Sequence, residues 1–242
     1  MLKNLLFIGI ASFLSKSFAI LLPYFLPADA YNHFNQKFYL VSFLVPFIVL
    51  GFDYLFPRYR INPRYYLIPL ISVFVLMIAG ISLFSTFDLF LLLLMIAFVI
   101  SSFISTLLLF HSDLKRYLLF SFLTFITGMV SIALSRIGFD FFVIYSLGQF
   151  FVVLAIVFIF KPGSMAIEPI ATKDFFKLVI GVFLLNSTAS LLFSFNKYIV
   201  SEQLPIDIAN AFTYLWAILV PVLYVGNLFE KYIYARVKKG SV

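Results

Sequence analysis

The sequence predicts an all-α polytopic membrane protein with about eight transmembrane helices, arranged as one six-helix lobe followed by the first two helices of a parallel second repeat. Three observations carry this. Apolar residues make up 64% of the 242 residues and charged residues 11%, where soluble domains hold about 45–50% and about 25%. With 34 Phe and a mean hydropathy of +1.12, no water-facing surface can be assembled from the remainder. Apolar runs of about 20 residues, the length a helix needs to cross the hydrocarbon core, recur along the chain, and a nine-residue pattern returns after 178 residues.

In chain order the spans fall at about residues 5–26, 36–52, 65–85, 88–110, 117–136, 138–160, 174–195 and 208–229. The first resembles a signal peptide, because Lys3 precedes an apolar run and Ser17-Phe18-Ala19 looks like a small-residue cleavage site. Apolar sequence continues through Leu26, so retention is expected. Runs such as Leu89 to Ile100 leave only the helical option, since backbone groups in lipid must be satisfied within the segment. The ten-residue alternation of a membrane β-barrel is absent. The spans group as a six-helix lobe over 1–160, a cytoplasmic linker over 161–173, and two helices of an incomplete second lobe with a basic tail over 174–242.

Charge asymmetry sets the orientation. With a cytoplasmic N-terminus, the inside segments collect Lys3, Arg58, Arg60, Arg64, Lys115, Arg116, Lys161, Lys173, Lys177, Lys231, Arg236, Lys238 and Lys239, thirteen cations against Lys37, Arg136 and Lys197 outside. That is the positive-inside pattern, and it puts both termini in the cytoplasm. The net charge of +7 therefore reports topology, and no nucleic-acid partner is expected.

Several function classes drop out. There is no Cys, and His33 and His111 are the only histidines, which leaves little for a metal site; no cofactor is expected. No Gly-rich nucleotide loop follows a strand. His111-Ser112-Asp113 has the letters of a catalytic triad, but adjacent residues rarely converge on one reacting atom. Paired carboxylates at helical spacing on a span are missing. An enzyme is not expected.

The repeat is the most informative feature. Leu26-Pro27-Ala28-Asp29-Ala30-Tyr31-Asn32-His33-Phe34 returns as Leu204-Pro205-Ile206-Asp207-Ile208-Ala209-Asn210-Ala211-Phe212, sharing L-P-x-D-x-x-N-x-F, each copy in an outside loop after an odd-numbered span. Upstream, Leu6-Phe7-Ile8-Gly9-Ile10 echoes Leu178-Val179-Ile180-Gly181-Val182, with the spacing to the loop differing by six residues. Spans one and two thus correspond to seven and eight. A six-helix unit is even, so the repeats are parallel about an axis along the membrane normal.

These residues resemble a known family. The first copy of the loop, followed by Gly51-Phe52-Asp53 and Arg58-Tyr59, is similar to L-G-P-E-E-Y-G-x-F and its sequel; Asn196-Lys197-Tyr198-Ile199-Val200 with Leu204, Asp207, Asn210 and Phe212 is similar to D-R-[FY]-I-[LV] and its following loop. Both are landmarks of the polysaccharide flippases in the multidrug/oligosaccharidyl-lipid/polysaccharide exporter superfamily. The resemblance implies a two-lobed transporter of twelve to fourteen helices, moving lipid-linked oligosaccharide repeat units across the bacterial inner membrane. It covers this whole chain but only the first eight helices of that plan. Asn32 and Asn210 stand where the family usually has Gly, and Asn196 where it usually has Asp.

Lys16 is the leading candidate for contact with substrate. A Lys at mid-span costs ~2.5–3.5 kcal/mol on the insertion scale, which thirteen Leu, Ile and Phe in the first span offset. Ser12, Ser15, Lys16, Ala19 and Pro23 share one small, polar face, expected to look into the bundle, and the resemblance implies a position facing the central cavity. A diphosphate headgroup would suit its ammonium; the structural alternative is a snorkelling Lys or a pair with Asp53. Asp53 with Arg58, Arg60 and Arg64 could gather an anionic headgroup at the inner mouth, although any cytoplasmic loop carries such cations. Ser187, Ser190, Ser194 and Lys197 form a stripe on the seventh span, with Asn186 beside it, as a sugar path or as close helix packing. The stripe Ser121, Thr124, Gly128, Ser131 and Ser135 is expected to pack helices, Gln149 and Asn227 to make interhelical hydrogen bonds, and Tyr24, Tyr31, Tyr39, Tyr65 and Tyr66 to form an interfacial belt.

The expected function is flipping of an anionic lipid-linked sugar by alternating access, in contact with membrane lipid. The alternatives are a drug/cation antiporter of the same fold, which would prefer intramembrane carboxylates, or a non-transporting membrane enzyme or scaffold of polysaccharide assembly. Because the second lobe stops after two helices, the missing ones come from a longer reading frame, a partner chain or a second copy. Truncation is the favoured reading, since a symmetric dimer leaves spans seven and eight without a role, and on that reading the chain alone does not flip substrate.

Overall fold

A computed structural model describes residues 2–52, 55–56, 71–72, 74–76, 78–80, 88–111, 113–159 and 172–238. Among them every regular element is a helix: α1 (Leu2–Phe25), α2 (Ala28–Val49), α3 (Leu89–Phe110), α4 (Leu114–Ser135), α5 (Phe141–Ile159), α6 (Thr172–Ser190), a π-helical turn (Leu191–Phe195), α7 (Asn196–Gln203) and α8 (Ile206–Lys238). Four stretches, Leu89–Phe110, Leu114–Ser135, Phe141–Ile159 and Phe176–Gln203, are long and apolar enough to cross a membrane. The described residues are thus all-α and carry helices with the length and composition of membrane spans. Most of the expected third span, the loop holding Asp53, Arg58, Arg60 and Arg64, and the linker over 161–173 up to residue 171 lie outside the described residues.

Local chemistry explains the helix starts. Asp88 accepts the backbone N–H of Phe90 at 2.9 Å and of Leu91 at 3.2 Å, and Asp113 that of Arg116 at 3.2 Å, so each satisfies donors that the first turn leaves orphaned. Proline sets the two repeated turns. A residue before Pro is pushed out of helical geometry and Pro itself cannot donate, so α1 stops ahead of Leu26-Pro27 and α7 ahead of Leu204-Pro205.

The two turns share their hydrogen bonds position for position. Leu26 N–H reaches Leu22 O at 2.9 Å and Tyr31 N–H reaches Pro27 O at 2.9 Å; Leu204 N–H reaches Val200 O at 3.2 Å and Ala209 N–H reaches Pro205 O at 2.9 Å. Every residue in the second set is its counterpart in the first plus 178. The nine-residue pattern is therefore a structural repeat. It is also less of a loop than its polarity suggests, because α2 begins at Ala28 and α8 at Ile206. Asp29 and Asp207 sit in the first turns, where the positive end of the helix dipole favours a carboxylate.

Packing respects the same correspondence. α1 lies between α4 and α8, and α2 packs on α3, on α8 and on the α6–π–α7 helix, while α1 and α2 touch each other little. Exchanging the hairpins maps the α1–α8 contact onto the contact of α2 with α6–π–α7. Close approach elsewhere rests on glycine: a Cβ on Gly128 would sit 2.7 Å from the Phe18 ring, and one on Gly148 would clash with the Thr127 methyl.

Candidate functional site

A cavity of about 550 Å³ runs through the middle of the bundle, lined from α1, α2, α3, α4, α5, the π turn, α7 and α8. On α2 the lining extends from Tyr31 to Pro46, about 22 Å at about 1.5 Å per residue. It lies where the two hairpins face each other. Asn210 Nδ2 donates to Ala28 O at 3.2 Å, Gln36 Nε2 to Ser201 O at 2.9 Å and Ser190 Oγ to Phe43 O at 2.9 Å, while the hydroxyls of Tyr24 and Tyr214 share a hydrogen bond.

Lys197 is the one charged residue among the described lining residues. It is 8% exposed, and its ammonium stands 4.0 Å from the Trp216 ring centroid and 5.7 Å from that of Tyr39. No described carboxylate pairs with it. An unpaired buried ammonium costs several kcal/mol, and a cation–π contact returns about 2 kcal/mol. The aromatic pair positions the cation without compensating it. Nearby on α2, Tyr31 and Asn35 also line the cavity; both are buried, and Tyr31 Oη and Asn35 Nδ2 have no hydrogen-bond partner among the described residues. The Lys197 end of the cavity is thus rich in unspent donors.

The rest of the wall carries hydroxyls of two kinds. On α4, Ser121 donates to Tyr117 O at 3.0 Å and Thr124 to Phe120 O at 3.0 Å; behind them Thr127 donates to Leu123 O at 2.9 Å and Ser131 to Thr127 O at 2.8 Å. These are spent on their own helix. On α3, Ser101, Ser102, Ser105 and Thr106 line the cavity and make no hydrogen bond among the described residues. Gln149 of α5 donates through Nε2 to Thr124 O at 3.3 Å, the interhelical bond expected of it, and also lines the cavity.

The sequence-derived residues divide. Lys197 reaches the cavity, as does Ser194 from the π turn; Ser187 and Ser190 are buried along the same stripe. Asn186 is half-buried beside Gly51 and does not line the cavity. Ala19 of the inward face expected for α1 lines it, while the side chains of Ser12, Ser15 and Lys16, like Asp53, Arg58 and the side chain of Asn227, lie outside the described residues.

The expected aromatic belt needs correction. Tyr24 is 67% exposed, but Tyr31 and Tyr39 are buried and line the cavity, because α2 starts eight residues before the expected span and carries both inward; Tyr65 and Tyr66 lie outside the described residues. Sequence reasoning missed Asn35, Trp216 and the α3 hydroxyls. The last had a signal: Ser101-Ser102 and Ser105-Thr106 repeat at a four-residue interval inside an otherwise apolar run.

Comparison of the chain with protein-family models, with curated proteins and with solved structures finds no match.

Proposed function

We propose that the chain is a carrier of the bacterial inner membrane that takes the anionic headgroup of a lipid-linked oligosaccharide into the cavity between its two hairpins, with the lipid tail left in the bilayer, in line with its resemblance to polysaccharide flippases. The observation that carries this is Lys197, an intramembrane ammonium without a carboxylate, held by Trp216 and Tyr39 at the edge of a cavity and close in register to the unpartnered Asn35. An ionisable group at membrane depth is retained for function far more often than for stability, and donors without acceptors suit a diphosphate. A drug/cation antiporter would place carboxylates in this cavity, and the described lining has none.

The repeat supports a second cation. Counting from the two Leu-Pro turns, Lys197 corresponds to Ala19 and Ser194 to Lys16, and both Ala19 and Ser194 line the cavity. Lys16 would then face Lys197 across the pseudo-axis, with Ser12 and Ser15 on the same helix face, while Asp53 and Arg58 gather the headgroup at the cytoplasmic mouth. Asn186 has no part in the cavity on this reading.

Eight spans with both termini cytoplasmic fit the alternation of helix ends. Arg136 stands over the Phe25 ring, and Lys37 pairs with Asp88 and stands over the Phe142 ring, all towards the end that holds the Leu-Pro turns. Gly9 meets Phe229 at the other. The apolar side chains of Phe176, Ile180, Leu184 and Leu192 are exposed; there a partner chain or second copy would add further helices of the second lobe.

The test is headgroup binding. The single Trp of the chain, Trp216, touches Lys197, so its fluorescence reports the site alone. Titration with a polyprenyl diphosphate should give a saturable change that the polyprenyl alcohol does not give and that Lys197→Met shifts to roughly ten- to a hundredfold higher concentration. Equal responses to diphosphate and alcohol would refute the anion site. Flipping of a fluorescent derivative in liposomes by the chain together with the helices that complete its second lobe, against protein-free liposomes, separates a carrier from a binding scaffold.

A further inference from the structure

We infer that the α3 wall of the cavity is a docking surface for an uncharged sugar, so that the preferred cargo carries a neutral sugar beside its anionic group. The inference rests on the carrier reading above and adds which part of the cargo the rest of the cavity selects.

In a membrane helix the ordinary fate of Ser and Thr is to bond the carbonyl one turn back, as Ser121, Thr124 and Ser131 do on α4. Ser101, Ser102, Ser105 and Thr106 do not, although they face the same space. Thr106 is only 3% exposed and lines the cavity, so its hydroxyl, unpartnered among the described residues, opens there. An independent group on another helix points to a ligand as well. Gln149 is 2% exposed and spends one amide N–H on Thr124 O, while its Oε1 has no partner among the described residues. Hydroxyls that both donate and accept, lining one cavity with an amide side chain whose carbonyl is unpartnered among the described residues, match the mixed donors and acceptors of a polyhydroxylated ring.

Apolar faces complete the match. Phe98 and Phe120 line the same region, and Phe98 meets Phe38 edge to face with ring centroids 5.5 Å apart. Exposed faces of such rings suit the C–H faces of a sugar. Ser101 and Thr106 stand about 5 Å and about 12 Å further along α3 than Phe98, on the side away from Asp88, in a stretch with no charged lining residue among those described. A uronic acid or protonated amino sugar there would be desolvated without a counter-ion. A neutral ring would not.

The experiment uses the full chain in detergent and Trp216 fluorescence, with three probes: a polyprenyl diphosphate, the same lipid bearing one neutral hexose, and one bearing a hexuronic acid. Two well-made hydrogen bonds amount to roughly tenfold in affinity, so the wild-type chain should bind the hexose lipid about tenfold tighter than the bare diphosphate, and the uronic acid lipid no tighter than the bare one. Replacing Ser101, Ser102 and Ser105 by Ala together with Thr106→Val should reduce the hexose preference below about twofold. Ser105→Thr with Thr106→Ser, which keeps the hydroxyls, should retain it; loss there as well would mean a packing role and overturn the inference. A preference surviving the apolar variant, or equal affinity for the uronic acid lipid, would also overturn it while leaving the carrier reading intact. No binding of any of the three lipids would remove both.

Discussion

The two hairpins share one turn and differ in what they carry. Around Leu26-Pro27, the first copy buries Leu22, Leu26, Tyr31 and Phe34; around Leu204-Pro205, the second leaves Leu204, Ile206 and Ile208 exposed. Backbone hydrogen bonds are the same in both. The difference teaches that the repeat fixes geometry, through a proline that ends one helix and an aspartate that starts the next, while side chains are free to diverge according to their neighbours. The cavity wall shows this divergence too. Ala19 and Lys197 occupy matching positions on the cavity wall, as do Phe38 and Trp216.

That asymmetry can be broken first at the cation. Lys197→Ala should weaken diphosphate binding by roughly ten- to a hundredfold, the worth of hydrogen bonds to a charged group, as read by Trp216 fluorescence. Ala19→Lys in the same background moves the cation to the matching position of the other hairpin and should recover at least about tenfold of the loss. No recovery would mean that the hairpins are not equivalent around the ligand. Thermal stability of Lys197→Ala should equal or exceed that of the parent, because an uncompensated buried charge has gone.

Packing offers a smaller contrast. Gly9 and Gly181 are matched upstream by sequence, yet a Cβ on Gly9 would meet Phe229 of α8 at 3.8 Å and one on Gly181 would meet nothing within 4 Å. Gly9→Leu should therefore overpack the α1–α8 contact and cost about 1–3 kcal/mol, while Gly181→Leu stays within about 0.5 kcal/mol. Denaturation midpoints in detergent check both. Equal costs would place Gly181 against another helix.

The smallest effect belongs to a device that only one hairpin has. Lys37 pairs with Asp88 and lies 4.5 Å from the Phe142 ring centroid, joining α2, α3 and α5, whereas the matching residue of α8 is the exposed Leu215. A double-mutant cycle with Lys37→Met and Asp88→Asn should give a coupling of about 1 kcal/mol or less. A zero coupling would reduce the pair to a surface contact.

Helix type, most boundaries and the repeat were legible in the sequence because each rests on one-dimensional signals: run length, Pro and Asp at turns, and a fixed offset. The cavity was not. Asn35 and Tyr31 read as parts of a polar loop until the turn proved to be two residues long, and a loop residue and an inward helix residue have the same letters. The α3 hydroxyls could be seen as a pattern, but whether a Ser bonds its own carbonyl or opens to a cavity depends on what stands opposite. Lys197 read as an outside cation for the same reason, since its burial comes from Trp216 and Tyr39, nearly 20 and more than 150 residues away in sequence.

The two turn copies meet face to face, and each hairpin sends residues into the cavity wall. A chain without cysteine allows a direct test. Ala28→Cys with Asn210→Cys replaces the 3.2 Å contact between the copies, and mild oxidation of the membrane-embedded protein should join the pair rapidly and near-completely, shown by a mobility shift that reductant reverses. Ala28→Cys with Gly181→Cys should stay unlinked under the same conditions. Failure of the first pair, or equal linking of both, would contradict the account.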